Sequence, residues 1–356
     1  MQSPMNKDTL QKIRSNDIKN IELQRIDQQR NQEAGLFPTS FSMPIGLQLE
    51  LTRRCNLFCK HCYNVSGGQV ETDLMTPKKW ISFAKEVVAD GGVFQCTISG
   101  GEPLLLGQEL FDIMDVFHND GSSFVLISNG FLLDADICKK LSKYHFQWLQ
   151  LSIDSVSPER HDAFRGRKGS WQRVTEAAIR VSEAGLPLKI AISATPRETQ
   201  FLEEFFEFCY QLGASAVVVG DIMPSGRSFD SHGIIMTKNE KIEFYEKILE
   251  LKKKFAYKIE VQTSFIMKSQ LEFMIDRPLD GVIIRPNGDV RLDCVAPFVI
   301  GNVLHDRFKT IWDRTPSDIW GSEPVREFID SIDEFGFSSK LNNYQDKDII
   351  LFNDPK

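Results

Sequence analysis

From Gly46 onward, short apolar runs alternate with longer stretches whose apolar residues recur at helical spacing. Gly46–Thr52 (GLQLELT) predicts a strand and Thr76–Ala89 a helix. The alternation continues with strands over Phe94–Ser99, Ser123–Ser128 (SFVLIS), Trp148–Ile153, Leu188–Ala194 and Ala216–Asp221. The helices predicted after them span Glu109–Phe117, Ala135–Leu141, Trp171–Glu183, Glu198–Leu212 and Lys238–Phe255. Six consecutive βα units imply an α/β fold, and several strands are apolar along their length. That predicts helices on one face of the sheet and a packed core on the other. An open doubly wound sheet and a full or partial barrel both satisfy the pattern.

After Phe255 the pattern changes. Lys258–Thr263 predicts one more strand. Gly281–Arg285 and Val290–Leu292 flank Pro286-Asn287-Gly288-Asp289, a turn signal, so a β-hairpin is expected there. A loop through Gly301-Asn302 and a short helix at Phe308–Trp312 follow. The expected division is a polar arm (1–45), the βα repeat (46–257), a small module (258–320) and a polar tail (321–356). Within the arm, Asp17 to Gln29 predicts a charged helix with a weak apolar face.

Composition narrows the classes. Of 356 residues, 42% are hydrophobic and 26% charged, which excludes collagen, a disordered chain and a small disulfide scaffold. A net charge of −7 provides no basic field for nucleic acid or an acidic membrane. No apolar run approaches the roughly 18 residues of a membrane span, and the N-terminus lacks the apolar core of a secretory signal. Of seven cysteines, Cys96, Cys138, Cys209 and Cys294 are scattered, while Cys55, Cys59 and Cys62 fall within eight residues. A disulfide framework would be spaced differently; a reducing, cytoplasmic protein with metal-binding thiols is expected.

The three clustered cysteines lie in Thr52-Arg-Arg-Cys55-Asn-Leu-Phe-Cys59-Lys-His-Cys62-Tyr63, immediately after the first strand. Loops at the C-terminal ends of parallel strands line active sites. Three thiolates on one short loop suit a soft metal centre. A cubane iron–sulfur cluster normally takes four thiolates, so three leave one iron open to a non-protein ligand. A zinc site would need a fourth ligand, and the only local candidate, His61, adjoins Cys62 at a spacing unlike zinc ribbons.

The C-x3-C-x2-C spacing, worded CNLFCKHCY, resembles the radical SAM superfamily. The resemblance implies a partial (β/α)6 TIM-type barrel and one [4Fe–4S] cluster held by Cys55, Cys59 and Cys62. It implies S-adenosylmethionine on the open iron, cleaved by one electron to a 5′-deoxyadenosyl radical that abstracts hydrogen from a substrate. Gly100, Gly101, Glu102 and Pro103 look like that family's GGEP segment, which binds the methionine amino group. Ser128 and Asn129 resemble its S/T-N-G turn. Ser152 and Asp154 resemble positions reaching the ribose or carboxylate of S-adenosylmethionine, and Arg165 one contacting the carboxylate; Asp154 reads equally as a loop cap. Asp221 and Arg227 sit after the sixth strand, where they could face cofactor or substrate. No catalytic residue is named.

The order Arg285-Pro286-Asn287-Gly288, Cys294, Gly301-Asn302 and Trp312 resembles the start of the SPASM or twitch extension of peptide-modifying (RiPP maturase) members. Such extensions bind auxiliary clusters, yet Cys294 is the sole cysteine after Cys209, and one thiolate cannot hold a cubane. The expected module therefore keeps a SPASM-like hairpin and helix without auxiliary clusters, and docks a peptide by strand addition at the hairpin edge. Cys294 itself reads as a buried small hydrophobe or a vestige of the lost site, ahead of a third reading as a functional thiol facing the substrate. The resemblance implies modification of a ribosomally made precursor peptide, with weight shifted to redox-neutral fragmentation or epimerisation. A separate substrate-presenting protein and a reductant such as flavodoxin or ferredoxin would be partners. Maturation of a small-molecule cofactor or tetrapyrrole, and a non-enzymatic metal- or cluster-binding regulator, are the alternatives.

Overall fold

Strand β1 (Gly46–Glu50) leads through the cysteine loop to helix α1 (Pro77–Ala89). Thr76 caps this helix, its hydroxyl accepting from Lys79 N at 3.4 Å, and Pro77 opens it. Trp80, Phe83, Ala84 and Val87, at helical spacing, form its buried face. The alternation continues with β2 (Gln95–Ser99), α2 (Gln108–Asn119), β3 (Ser123–Ser128), α3 (Ala135–Leu141) and β4 (Phe146–Ser152). Two helices follow β4: α4 (Pro158–Arg165), which no apolar pattern announces, and α5 (Ser170–Glu183). Then come β5 (Leu188–Ala194), α6 (Leu202–Gln211), β6 (Ala216–Asp221) and α7 (Lys238–Phe255). The single helix expected over 198–212 is split. A 3-10 segment, Pro196–Phe201, precedes α6, with Glu198 drawn 2.9 Å from Arg160 Nε.

Beyond α7 lie β7 (Glu260–Thr263), α8 (Met267–Met274), β8 (Gly281–Ile284), β9 (Asp289–Arg291), β10 (Phe298–Asn302), α9 (Phe308–Arg314), α10 (Glu323–Asp330) and β11 (Ile349–Ile350). This computed structural model describes residues 26, 29–35, 38–68, 72–263, 267–334, 336, 338 and 348–352. Apart from Ile26 and Gln29, the helix expected over 17–29 lies outside them. None of the described helices is long and apolar enough to cross a membrane.

All eleven described strands join one sheet in the order β11-β10-β9-β8-β1-β2-β3-β4-β5-β6-β7. β1 to β7 run parallel, each beside the next, and β8 is parallel to β1 on its other side. The expected hairpin is present, with β8–β9 and β9–β10 antiparallel and β10–β11 parallel. The sheet thus runs without a break from the βα repeat into the C-terminal strands. β7 and β11 are its two edges, an arrangement compatible with a partial barrel. The hairpin edge, where a peptide strand is expected to add, is not free: β8 pairs with β1 on one side and β9 with β10 on the other.

Alternate strand residues such as Leu47, Leu49, Phe124, Leu149, Ile190 and Val219 pack under the helices and are fully buried. Cys96, Cys138 and Cys209 are buried in the same core. The other face departs from the expected apolar core. Gln48, Thr97, Gln150, Lys189, Ser193 and Gln262 occupy it and are only half-buried. The alternation within LKIAISA shows why: one face is driven into the core, while the other remains polar.

A buried ionic cluster joins the C-terminal strands to β1. Arg285 Nε lies 3.6 Å from Glu50 Oε2, and Arg285 Nη1 lies 3.0 Å from Asp348 Oδ2. Arg291 Nη2 lies 3.6 Å from Asp348 Oδ1. Asp348 immediately precedes β11.

Candidate active site at the cysteine loop

The loop after β1 is held from several sides. Thr52 Oγ1 donates to Asp73 Oδ2 at 2.5 Å, and Arg53 N to Asp73 Oδ1 at 2.9 Å. Trp80 Nε1 donates to Leu51 O at 3.0 Å. The loop after β2 runs alongside, with Gly101 N donating to Thr52 O at 2.6 Å and Glu102 N to Arg54 O at 2.9 Å. A Cβ on Gly101 would lie 2.2 Å from Arg54 O, so only glycine permits this approach. The far side is laced to α4, where Phe58 N donates to Arg165 O at 3.1 Å and Lys60 N to Phe164 O at 3.0 Å.

Within this frame the sequence-predicted residues gather. Glu102 is fully buried; its Oε1 accepts from Leu104 N at 3.1 Å and Ser128 Oγ at 2.9 Å, and its Oε2 from Asn129 N at 2.8 Å. Burial pushes this carboxyl up to about 7, against the hydrogen bonds from Asn129, Leu104 and Ser128. Pro103, buried, opens the 3-10 turn Pro103–Leu106. Asn129 Nδ2 reaches Asn56 Oδ1 at 2.8 Å and Cys55 Sγ at 3.6 Å.

Arg165, at the C-terminal end of α4, donates from Nε to Asp154 Oδ2 at 2.5 Å and from Nη1 to Cys59 Sγ at 3.8 Å. Asp154 Oδ1 accepts from Ser193 N at 3.0 Å. Burial pushes the Asp154 carboxyl up, but the Arg165 guanidinium outweighs it and holds it below the usual carboxylate range. Ser152 ends β4, half-buried. Asp221 is engaged elsewhere, with Lys241 Nζ at 2.6 Å and Tyr245 OH at 3.0 Å, both from α7. Cys294 is half-buried, and burial pushes its thiol well up, with Asp293 adding to the effect.

Arg227 belongs to the loop's support. Its N donates to Cys62 O at 3.1 Å, its Nε to Cys59 O at 2.8 Å, and its guanidinium stacks 4.0 Å from the Phe58 ring. The preceding Gly226 has φ +61°, and a Cβ there would lie 2.4 Å from Cys62 O. Sequence reading missed Asn56, Asp73 and Gly226. Asp73 lies 21 residues beyond Thr52, a pairing that no local pattern announces. Only the closeness of Asn56 to Cys55 could have singled it out.

Two of the thiols, Cys55 and Cys59, are unsuited to remain bare thiolates. Burial pushes Cys55 up to about 12, with Glu102, Cys59 and Cys62 adding to it, and burial pushes Cys59 up as well. A bound metal centre reverses this and takes thiols as thiolates. Buried polar atoms without a hydrogen-bond partner collect around the loop: Asn56 Nδ2, His61 Nδ1, Asn64 Nδ2, and Arg227 Nη1 and Nη2. Each such atom costs about 1–3 kcal/mol, so their concentration marks a place shaped for a polar, acceptor-rich group. Among the described residues no three His, Cys, Asp or Glu side chains meet on one metal ion. A multi-iron cluster takes each thiolate on a different iron, which fits three thiols set around a loop. His61 stacks 4.3 Å from Phe164 and is driven down to about 3 by burial and Arg165, so its ring is neutral.

Comparison with known proteins agrees with this chemistry. Residues 49–209 match the model of the radical SAM superfamily. An AdoMet-dependent heme synthase from Methanosarcina barkeri is 29% identical over 306 residues, covering 78% of this chain and 87% of the synthase. The antilisterial bacteriocin subtilosin biosynthesis protein AlbA of Bacillus subtilis is 26% identical, covering 77% of this chain and 60% of AlbA. The crystal structure of Streptococcus suis SuiB bound to S-adenosylmethionine superposes with a TM-score of 0.62 at 16% identity, covering 82% of this chain and 69% of SuiB. SuiB bound to its precursor peptide SuiA superposes with a TM-score of 0.59 at 15% identity, covering 82% and 68%. The superfamily works with a [4Fe–4S] cluster and S-adenosylmethionine, which supplies the hydrogen-abstracting radical when bound. Residues 49–209 of this chain, which carry three thiols on one loop beside a glycine-rich turn, are a radical SAM domain.

Proposed function

We propose that the chain modifies a peptide by radical hydrogen abstraction, with Cys55, Cys59 and Cys62 as cluster ligands. Gly100, Gly101 and Pro103 shape the backbone that holds the methionine end of S-adenosylmethionine, while Glu102 fixes the Ser128-Asn129 turn beside it. Arg165, oriented by Asp154, acts beside Cys59, and Ser152 lies at the mouth. Residues 258–320 serve as a wall to the site and carry no auxiliary cluster. The peptide reading is carried by the likeness to AlbA, a bacteriocin biosynthesis protein, over 77% of this chain. Chemistry that returns an electron through an auxiliary cluster is unnatural with Cys294 alone, which favours epimerisation or fragmentation.

A second reading, maturation of a small molecule such as a tetrapyrrole, is favoured by the likeness to the heme synthase. Co-expression with a neighbouring candidate peptide, read by mass spectrometry, separates the two. A mass change or altered residue in the peptide supports the first reading; an unaltered peptide alongside a converted porphyrin overturns it. As a control, C59A is expected to lose its iron and to yield no 5′-deoxyadenosine with dithionite.

A further inference from the structure

The polar face of the sheet carries a cation set on an aromatic ring. Its neighbour Ile190 is fully buried in the core, so Lys189, of opposite parity, lies on the inner face. Lys189 Nζ stands 3.9 Å from the Trp148 ring centroid, an attractive seat for an ammonium. One of its three donors reaches Gln262 Oε1 at 3.1 Å. Gln262 is itself oriented by donating from Nε2 to Glu260 Oε1 at 2.9 Å. Gln150 is the register partner of Lys189 on β4 and is half-buried beside it. The Glu260 carboxylate, in the same register row, acts on Lys189 from a distance, but among the described residues no carboxylate comes within ion-pair distance of its ammonium. An ammonium oriented by a ring and an amide, with donors to spare on a half-open face, is built to receive an anion.

We propose that Lys189, seated on Trp148, forms a carboxylate-binding subsite that fixes the substrate, an inference resting on the hydrogen-abstraction reading above. Ser193 lies four residues further along β5, about 13 Å at strand rise. Its N–H holds Asp154, which orients Arg165 beside Cys59. A carboxylate bound here therefore lies about a dozen ångströms from Ser193, and farther from Cys59, because Asp154 and Arg165 stand between. An acidic residue of an extended peptide and the propionate of a tetrapyrrole share that chemistry.

The test measures equilibrium binding to the reconstituted full chain with S-adenosylmethionine, using two probe pairs. One is an acetylated tetrapeptide with a single glutamate against its glutamine counterpart. The other is deuteroporphyrin against its dimethyl ester. The wild type is expected to prefer the acid of at least one pair by about tenfold or more. Lys189→Gln should lose the preference and Lys189→Arg retain it, with iron content and melting temperature reporting that both variants fold. Preference surviving in Lys189→Gln, or no preference in the wild type, overturns the subsite. Preference in the porphyrin pair alone upholds the subsite and overturns the peptide reading. A co-expressed peptide modified with equal KM by the wild type and Lys189→Gln overturns the subsite and upholds the peptide reading.

Discussion

At Glu102, three hydrogen-bond donors favour the carboxylate while complete burial favours the acid, and burial wins. A folded-state value near 7, above the unfolded value near 4.3, makes the protonated form the stable partner of the fold. Its contribution is fully present below about pH 4.3 and lost as pH rises through about 7. Between pH 6 and 8 this group should remove about 1 kcal/mol of stability. Urea unfolding of the cluster-free protein should show that loss, and Glu102→Gln should flatten it. Equal pH slopes in both proteins would locate the titration elsewhere. Asp154 has the opposite sign: its value is depressed, so its stabilisation is present above the unfolded value and lost as pH falls through the folded one.

The supporting loops make a prediction of their own. Gly226→Ala places a Cβ against Cys62 O and Tyr63 O on a left-handed backbone, so the cysteine loop must shift. Iron content after anaerobic reconstitution should fall severalfold. Gly233→Ala is equally left-handed, at φ +72°, but meets nothing within 4 Å. It should cost only about 1–2 kcal/mol by denaturation and keep its iron. The strand and helix runs were legible because runs such as SFVLIS and the Trp80–Phe83–Val87 stripe carry their periods openly. Helix α4 was not, since in PERHDAFR only His161, Phe164 and Arg165 are buried; tertiary bonding to the cysteine loop holds it. β11 is two exposed isoleucines, too short for any pattern. The cysteines, glycines and Arg165 could be picked out from their wording. Their mutual bonds could not, because Glu102 meets Ser128 and Arg165 meets Cys59 only through the sheet order.

For the molecule as a whole, the C-terminal strands complete the charge balance of the interior. Arg285 and Arg291 are both almost wholly buried, and Asp348 reaches both. Breaking such a buried set by removing one partner costs about 3–5 kcal/mol. Asp348→Asn should lower stability by that order in thermal or urea unfolding. The double variant Asp348→Asn/Arg291→Met should cost less than the two single changes added together. A loss below ~0.5 kcal/mol in Asp348→Asn would place it among ordinary surface changes. Strand β1 sits mid-sheet between β2 and β8, although β8 is made much later in synthesis. At typical elongation rates the gap between them is on the order of ten seconds or more. During that interval the three sulfurs emerge beside a seam still waiting for its second neighbour, so the first strand of the sheet to leave the ribosome is among the last to be flanked on both sides.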